Sequence, residues 1–286
     1  MGARRGNRAV HRARTGRWRV RRGLAVGLIV LIAGAAWFGI RNWRRGYSST
    51  RGATIIRFTI HSPLVHRDLH EILVVAANGR PGRELLVFLH GRSSGPGSNL
   101  RQPLFDALHD LGRRAPDVLL ADGGDHSYWH DRTDGMWGTS VLREVIPAAL
   151  SRSHANPHRV AIGGISMGGF GALDLARLDP HRFCAIGAHS AALWFRGADT
   201  PAGAFDDAKD FSRHDVLAFA RKHAIYQVPV WIDVGRDDPF FQADVALARE
   251  LRTHRTNVQL VLHSGGHGGW SGRMGEYLRF YARACG

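Results

Sequence analysis

Val160-Ala161-Ile162-Gly163-Gly164-Ile165-Ser166-Met167-Gly168-Gly169-Phe170-Gly171-Ala172-Leu173 is the stretch on which the reading of this chain turns. A β-type apolar run enters Gly164-Ile165-Ser166-Met167-Gly168, and apolar residues at helical spacing follow through Leu178. Gly-x-Ser-x-Gly between a strand and a helix is the sequence of a sharp turn. Small flanking residues let such a turn lift a serine hydroxyl clear of the end of its strand. A serine in that setting is a nucleophile once a base takes its proton, so a histidine and an orienting carboxylate are expected further along the chain.

On both sides of this stretch the chain alternates between strand and helix patterns. Thr54 to Ile60, Leu69 to Ala76 and Glu84 to Leu89 read as strands. The last two, joined through Asn78-Gly79 and Pro81-Gly82, read as a hairpin. Pro103 to Gly112 has helical spacing, Asp117 to Ala121 is a buried-type strand, and Ser140 to Ser151 is helical. Arg159 to Ile165, Phe183 to His189, Val228 to Val234 and Val258 to Leu262 are further strands, and Gly168 to Leu178, Gln242 to Thr253 and Met274 to Ala284 are helices. This succession predicts an α/β fold: a mostly parallel central sheet with antiparallel N-terminal strands and helices on both faces. The long stretch 190–227 is where a cap over a site is expected.

The acid and base follow from position. The strand Val228 to Val234 ends in Gly235-Arg236-Asp237-Asp238-Pro239, which puts a carboxylate at the same sheet edge as Ser166. Asp238 is the candidate acid and Asp237 its runner-up, one register step away. Asp233, inside the strand, reads as a structural residue. The last strand leads into His263-Ser-Gly-Gly-His267-Gly-Gly-Trp270, where His267 is the candidate base and His263 the runner-up. With 17 histidines in the chain, residue type picks none of them. Attack on a carbonyl also develops an oxyanion, which needs preorganised N–H donors. Met167, directly after the nucleophile, and Arg92, in the loop after Leu85-Leu86-Val87-Phe88-Leu89-His90-Gly91, are the backbone candidates.

Charge is concentrated at one end. Of the formal +15, twelve charges are arginines within residues 1–50, which hold no Asp or Glu, leaving +3 for the other 236 residues. Leu24 to Ile40 carries no charged or polar side chain, and as a helix it would span roughly 25 Å. Nine arginines before it and three after it predict a single-pass signal-anchor with the N-terminus cytoplasmic and the body outside. Cleavage at the A-x-A-like Ala33-Gly34-Ala35, giving a secreted protein, is the alternative. The expected organisation is a basic tail (1–23), a transmembrane helix (24–40), a linker (41–52) and a catalytic domain (53–286). Arginines that flank an apolar run without interleaved aromatics argue against nucleic-acid binding. Cys184, in Phe183-Cys184-Ala185-Ile186, is expected as a buried free thiol; a bridge to Cys285 is possible but not demanded.

LLVFLHG (85–91), GGISMGGFGALDLA (163–176), DVGRDDPF (233–240) and SGGHGGW (264–270) together resemble the esterase D-type branch of the α/β-hydrolases. That branch includes feruloyl esterases, S-formylglutathione hydrolase and mycolyltransferases. The resemblance spans 54–284 and places the acid on Asp238 and the histidine on His267. It implies a two-step acyl transfer through Ser166 on a small-molecule or lipid ester, with no metal or cofactor. ADGGDHSYWHDRTDGMWG (121–138) is similar to a segment that lies near the substrate cleft in that branch, so His126, Tyr128, Trp129 and Trp137, with His90 and Gly91, are candidate substrate contacts. Core packing is the competing reading of those aromatics. Arg92 departs from the apolar residue that many members have after His-Gly, which leaves the substrate open. The expected activity is carboxylic ester hydrolysis by a Ser-Asp-His triad. An acyltransferase acting on a sugar or glycerol hydroxyl and a non-catalytic binding protein on the same fold are the alternatives.

Overall fold

The computed structural model describes residues 46–286, and the folded body runs from Ser49 to Gly286. The expected anchor at 24–40 lies outside the described residues. Among the described residues no helix is long and apolar enough to cross a membrane.

Eight strands form one sheet: β1 (Thr54–Ser62), β2 (Arg67–Val75), β3 (Arg83–Leu89), β4 (Asp117–Ala121), β5 (Ala155–Ile165), β6 (Phe183–His189), β7 (Val230–Gly235) and β8 (Val258–His263). Their order across the sheet is β1-β2-β4-β3-β5-β6-β7-β8. β1, β2 and β4 pair antiparallel, and every pairing from β4 to β8 is parallel. The helices are α1 (Gln102–Leu111), α2 (Trp137–Ser140) running through a π turn (Val141–Val145) into α3 (Ile146–Leu150), α4 (Met167–Leu178), α5 (Ala208–His214), α6 (Val216–Lys222), α7 (Phe241–Thr253) and α8 (Met274–Ala284).

The central strands are buried on both faces. β3 and β4 are buried at every position, so after the charged residues that open them, Arg83-Glu84 and Asp117, they read as apolar runs where β1 alternates. On β5 and β6, Ile162 and Ile186 join a core with Phe170 and Leu173 of α4. Gly163 and Gly187 point to the opposite face, where a Cβ on either would overlap the Tyr281 hydroxyl of α8. Gly163 and Gly187 thus have a packing reason: they let α8 lie close on the sheet.

Three expectations are corrected. The second and third strands do not form a hairpin, because β4 lies between them. The hairpin is β1–β2, closed by the turn Pro63–His66 with His66 at φ 55°. Asn78-Gly79 instead turns the chain toward β3, where Arg83 ties the loop down by donating to the Ala76 carbonyl and to Asp117. The stretch 190–227 folds as α5 and α6 but contributes no lining to the cavity at Ser166. It packs sideways, with Phe205 against Tyr128, Phe170 and His130. Finally, Cys184 is not a free thiol: it is bonded to Cys285, joining β6 to the segment after α8.

Candidate active site

The C-terminal ends of β3, β5, β7 and β8 meet at one edge of the sheet, in register through Leu89 with Gly164 and His263 with Gly235. Ser166 follows β5 directly at φ 56° and ψ −115°, a conformation that costs a non-glycine residue on the order of 1–3 kcal/mol. Its neighbours make that turn possible. A Cβ on Gly168 would overlap the Leu89 carbonyl oxygen and come within 2.8 Å of the His90 oxygen, and one on Gly164 would overlap the Gly168 oxygen. The Ser166 amide donates to His189 O at 3.0 Å, and the Ser166 carbonyl accepts from Phe170 and Ala192, so the strained residue is held on both sides.

Ser166 Oγ lies 2.8 Å from His267 Nε2, and His267 Nδ1 lies 2.8 Å from Asp238 Oδ2. An imidazole whose Nδ1 faces a carboxylate carries its proton there, which leaves Nε2 to accept from the serine. Asp238 Oδ1 accepts from the Phe240 amide at 2.9 Å. Burial pushes the Asp238 carboxyl up, but the His267 side chain and that amide outweigh it and hold the group below the usual carboxylate range. The two runners-up lie elsewhere. Asp237 is exposed and its amide donates to Gly265 O, while His263 Nε2 lies 3.8 Å from Asp233.

Met167 opens α4, so its amide is among the N–H groups for which the helix has no acceptor. Gly91 faces the elbow, where an added Cβ would sit 3.4 Å from Ile165 O and 3.5 Å from Ser166 Cβ. Gly91 and Arg92 both line a cavity of about 490 Å³ that also contains Ser166 and His267.

The remaining predicted contacts separate from the cavity. His90 is buried: Nδ1 donates to Gly91 O at 2.9 Å and Nε2 accepts from the Gly123 amide at 3.1 Å. Burial lowers its pKa, in keeping with a neutral ring that braces the loop. Trp129 is fully buried and donates to His90 O, and Trp137 is buried and donates to Asp134, so both belong to the core. His126 is exposed beside Asp125 and does not line the cavity. Tyr128 is also buried, its ring packed against Phe170, Trp194 and Phe205. Sequence reasoning misses the actual wall, made by Asn99, Arg101 and Leu104 after β3 and by Trp270 and Met274 after His267. The glycine-rich break after His90-Gly91 and the tryptophan that closes SGGHGGW are the signals that could have found it.

Two buried polar clusters lie apart from these residues. Asp233 accepts from Trp231 and Tyr277 and pairs with His189, which makes it a core anchor. His130, Asp210 and His214 offer ligand atoms within 4.8 Å of one another, as a metal site does. Asp210, however, already accepts from Arg213, His130 and the Asp206 amide, and His214 pairs with Asp174. Both carboxylate oxygens of Asp210 are thus taken by protein donors, and the cluster pins α5 to the body.

Comparison with known proteins agrees with this fold. A ferulic acid esterase superposes with a TM-score of 0.66 at 17% identity, covering 81% of this chain and 98% of its own. An S-formylglutathione hydrolase from Agrobacterium tumefaciens gives 0.69 at 17% identity, covering 84% and 98%. A thermostable esterase from Pseudomonas putida ECU1011 gives 0.66 at 14% identity, covering 84% and 85%. The family model described as "Putative esterase" matches residues 118–270, more than half of the chain. With a serine, a histidine and a carboxylate in hydrogen-bonded sequence beside a cavity, the chain belongs to this esterase family and is a carboxylic ester hydrolase.

Proposed function

We propose that the protein cleaves carboxylic esters through an acyl-enzyme on Ser166. The observation that carries this is the line Ser166 Oγ, His267, Asp238, with both hydrogen bonds at 2.8 Å. Ser166 Oγ attacks the ester carbonyl carbon as its proton passes to His267 Nε2, and Asp238 holds the resulting imidazolium. The oxyanion is met by the amides of Met167 and Arg92. Collapse breaks the bond to the alcohol, which leaves with the proton from His267. Water then attacks the acyl-enzyme by the same route in reverse, releasing the acid and restoring the serine. Labelling with a fluorophosphonate and peptide mapping tests this. The label is expected on Ser166, with Ser166→Ala unlabelled and its kcat down by at least about 10⁴-fold. An unlabelled wild type, or a Ser166→Ala variant that keeps its esterase activity, overturns the reading.

We further propose that the catalytic body works outside the cytoplasm, behind an N-terminal anchor. The Cys184–Cys285 bond supports this, since such crosslinks persist in oxidising compartments. Protease accessibility of the body in intact spheroplasts tests it, and protection there would rule it out.

A further inference from the structure

The cavity in front of Ser166 carries a charge pattern that ester cleavage as such does not require. Two guanidinium side chains, Arg92 and Arg101, stand on its wall, and no Asp or Glu lines it among the described residues. Both residues are exposed at its mouth. The arginines that pair with acids among the described residues all lie elsewhere, so neither charge here is answered by a carboxylate. Arg101 is nevertheless held in place. Arg101 donates from Nε to the Ser98 carbonyl at 2.8 Å, which leaves its terminal nitrogens for a ligand. The floor beneath them is apolar, made by Leu104, Ile165 and Met274. Helix α1 opens on the same cavity through Pro103 and Leu104 and adds the partial positive charge of its N-terminal end.

Two guanidiniums unanswered by any carboxylate, over an apolar floor, fit a ligand with an anionic head and a short carbon chain. A planar fork of N–H donors matches the oxygens of a carboxylate or a phosphate. We infer that the substrate is an ester bearing an anionic group, which Arg92 and Arg101 bind while the carbon chain lies on the floor beside Ser166. This rests on the esterase reading above and adds the substrate class to it.

The test uses the full chain and two matched pairs of esters. One pair is mono-p-nitrophenyl adipate against p-nitrophenyl hexanoate, which places the charge on the acyl side as a carboxylate. The other is acetylglycerol phosphate against acetylglycerol, which places it on the alcohol side as a phosphate. In at least one pair kcat/KM is expected to favour the anionic member about tenfold at low salt, with the preference shrinking as salt screens the charges. Arg101→Gln, an exposed substitution, is expected to cut the ratio of anionic to neutral kcat/KM severalfold, mainly through KM. Whichever pair responds identifies the anion and its side of the scissile bond. Ratios at or below one in both pairs, or ratios that Arg101→Gln and Arg92→Gln leave unchanged, overturn the inference while turnover of the neutral esters keeps the esterase reading standing. Absence of all ester turnover removes both.

Discussion

In the proposed mechanism Asp238 has to remain ionised while buried, and its surroundings supply the donors for that. With its pKa held below the unfolded value, its contribution to stability is complete above the ordinary carboxylate range and is lost as pH falls through the lower folded value. Asp238→Asn is therefore expected to lower kcat/KM by about 10³–10⁴ in a folded protein, since the amide no longer fixes the ring proton on Nδ1. The gap in Tm between wild type and variant should be open at pH 7 and close below about pH 4. A gap independent of pH would show that the carboxylate charge does not matter there. At this scale the sequence separates the candidates only up to a register step. The turn Gly235-Arg236-Asp237-Asp238 offers two adjacent carboxylates, and what selects the second is that Asp237 faces solvent while Asp238 packs behind His267. The buried tryptophans show the opposite limit. Trp129 and Trp137 have the chemistry of a cleft and of a core alike, and only the folding of 121–138 onto the sheet decides between them.

The strand, turn and helix around Ser166 form the element most legible in the sequence, because each of its glycines answers a contact rather than a propensity. Gly168→Ala drives a methyl into the Leu89 carbonyl, which is backbone of a fully buried strand and cannot yield. The expected cost is at least about 1–3 kcal/mol, read as a lower denaturant midpoint, with loss of activity beyond the loss of folded protein. Unchanged stability and turnover would mean that the turn has room the structure does not show. Strand pairing is less legible. Asn-Gly between two apolar runs is a strong local hairpin signal, yet β4 has its own all-apolar face to bury and takes the place beside β3. Local turn chemistry cannot register a competitor that arrives some thirty residues later. The segment 190–227 defeats prediction for a related reason: length marks an insertion, but the Phe205 and Asp210 contacts decide which way it leans.

At the scale of the molecule, the alternation of strands and helices carries the architecture, and the covalent tie is the part that pattern cannot supply. The Cys184–Cys285 bond closes a loop across 101 positions, from the middle of the sheet to the end of the last helix. Replacing both cysteines by alanine is expected to cost about 2–5 kcal/mol in equilibrium unfolding. Reduction of the wild type should bring its unfolding curve onto that of the variant, and identical curves before reduction would show that the bond contributes nothing. Two cysteines so far apart carry no spacing signal, so residue context favours the thiol.

Strand order has a further consequence. Ser166 is mounted on β5, flanked by partners on both sides, whereas His267 hangs from the loop beyond β8, an edge strand. The proposed proton relay thus bridges an inner strand and an edge of the sheet, so catalytic competence is expected to be the first property surrendered as the fold loosens and the last regained as it re-forms.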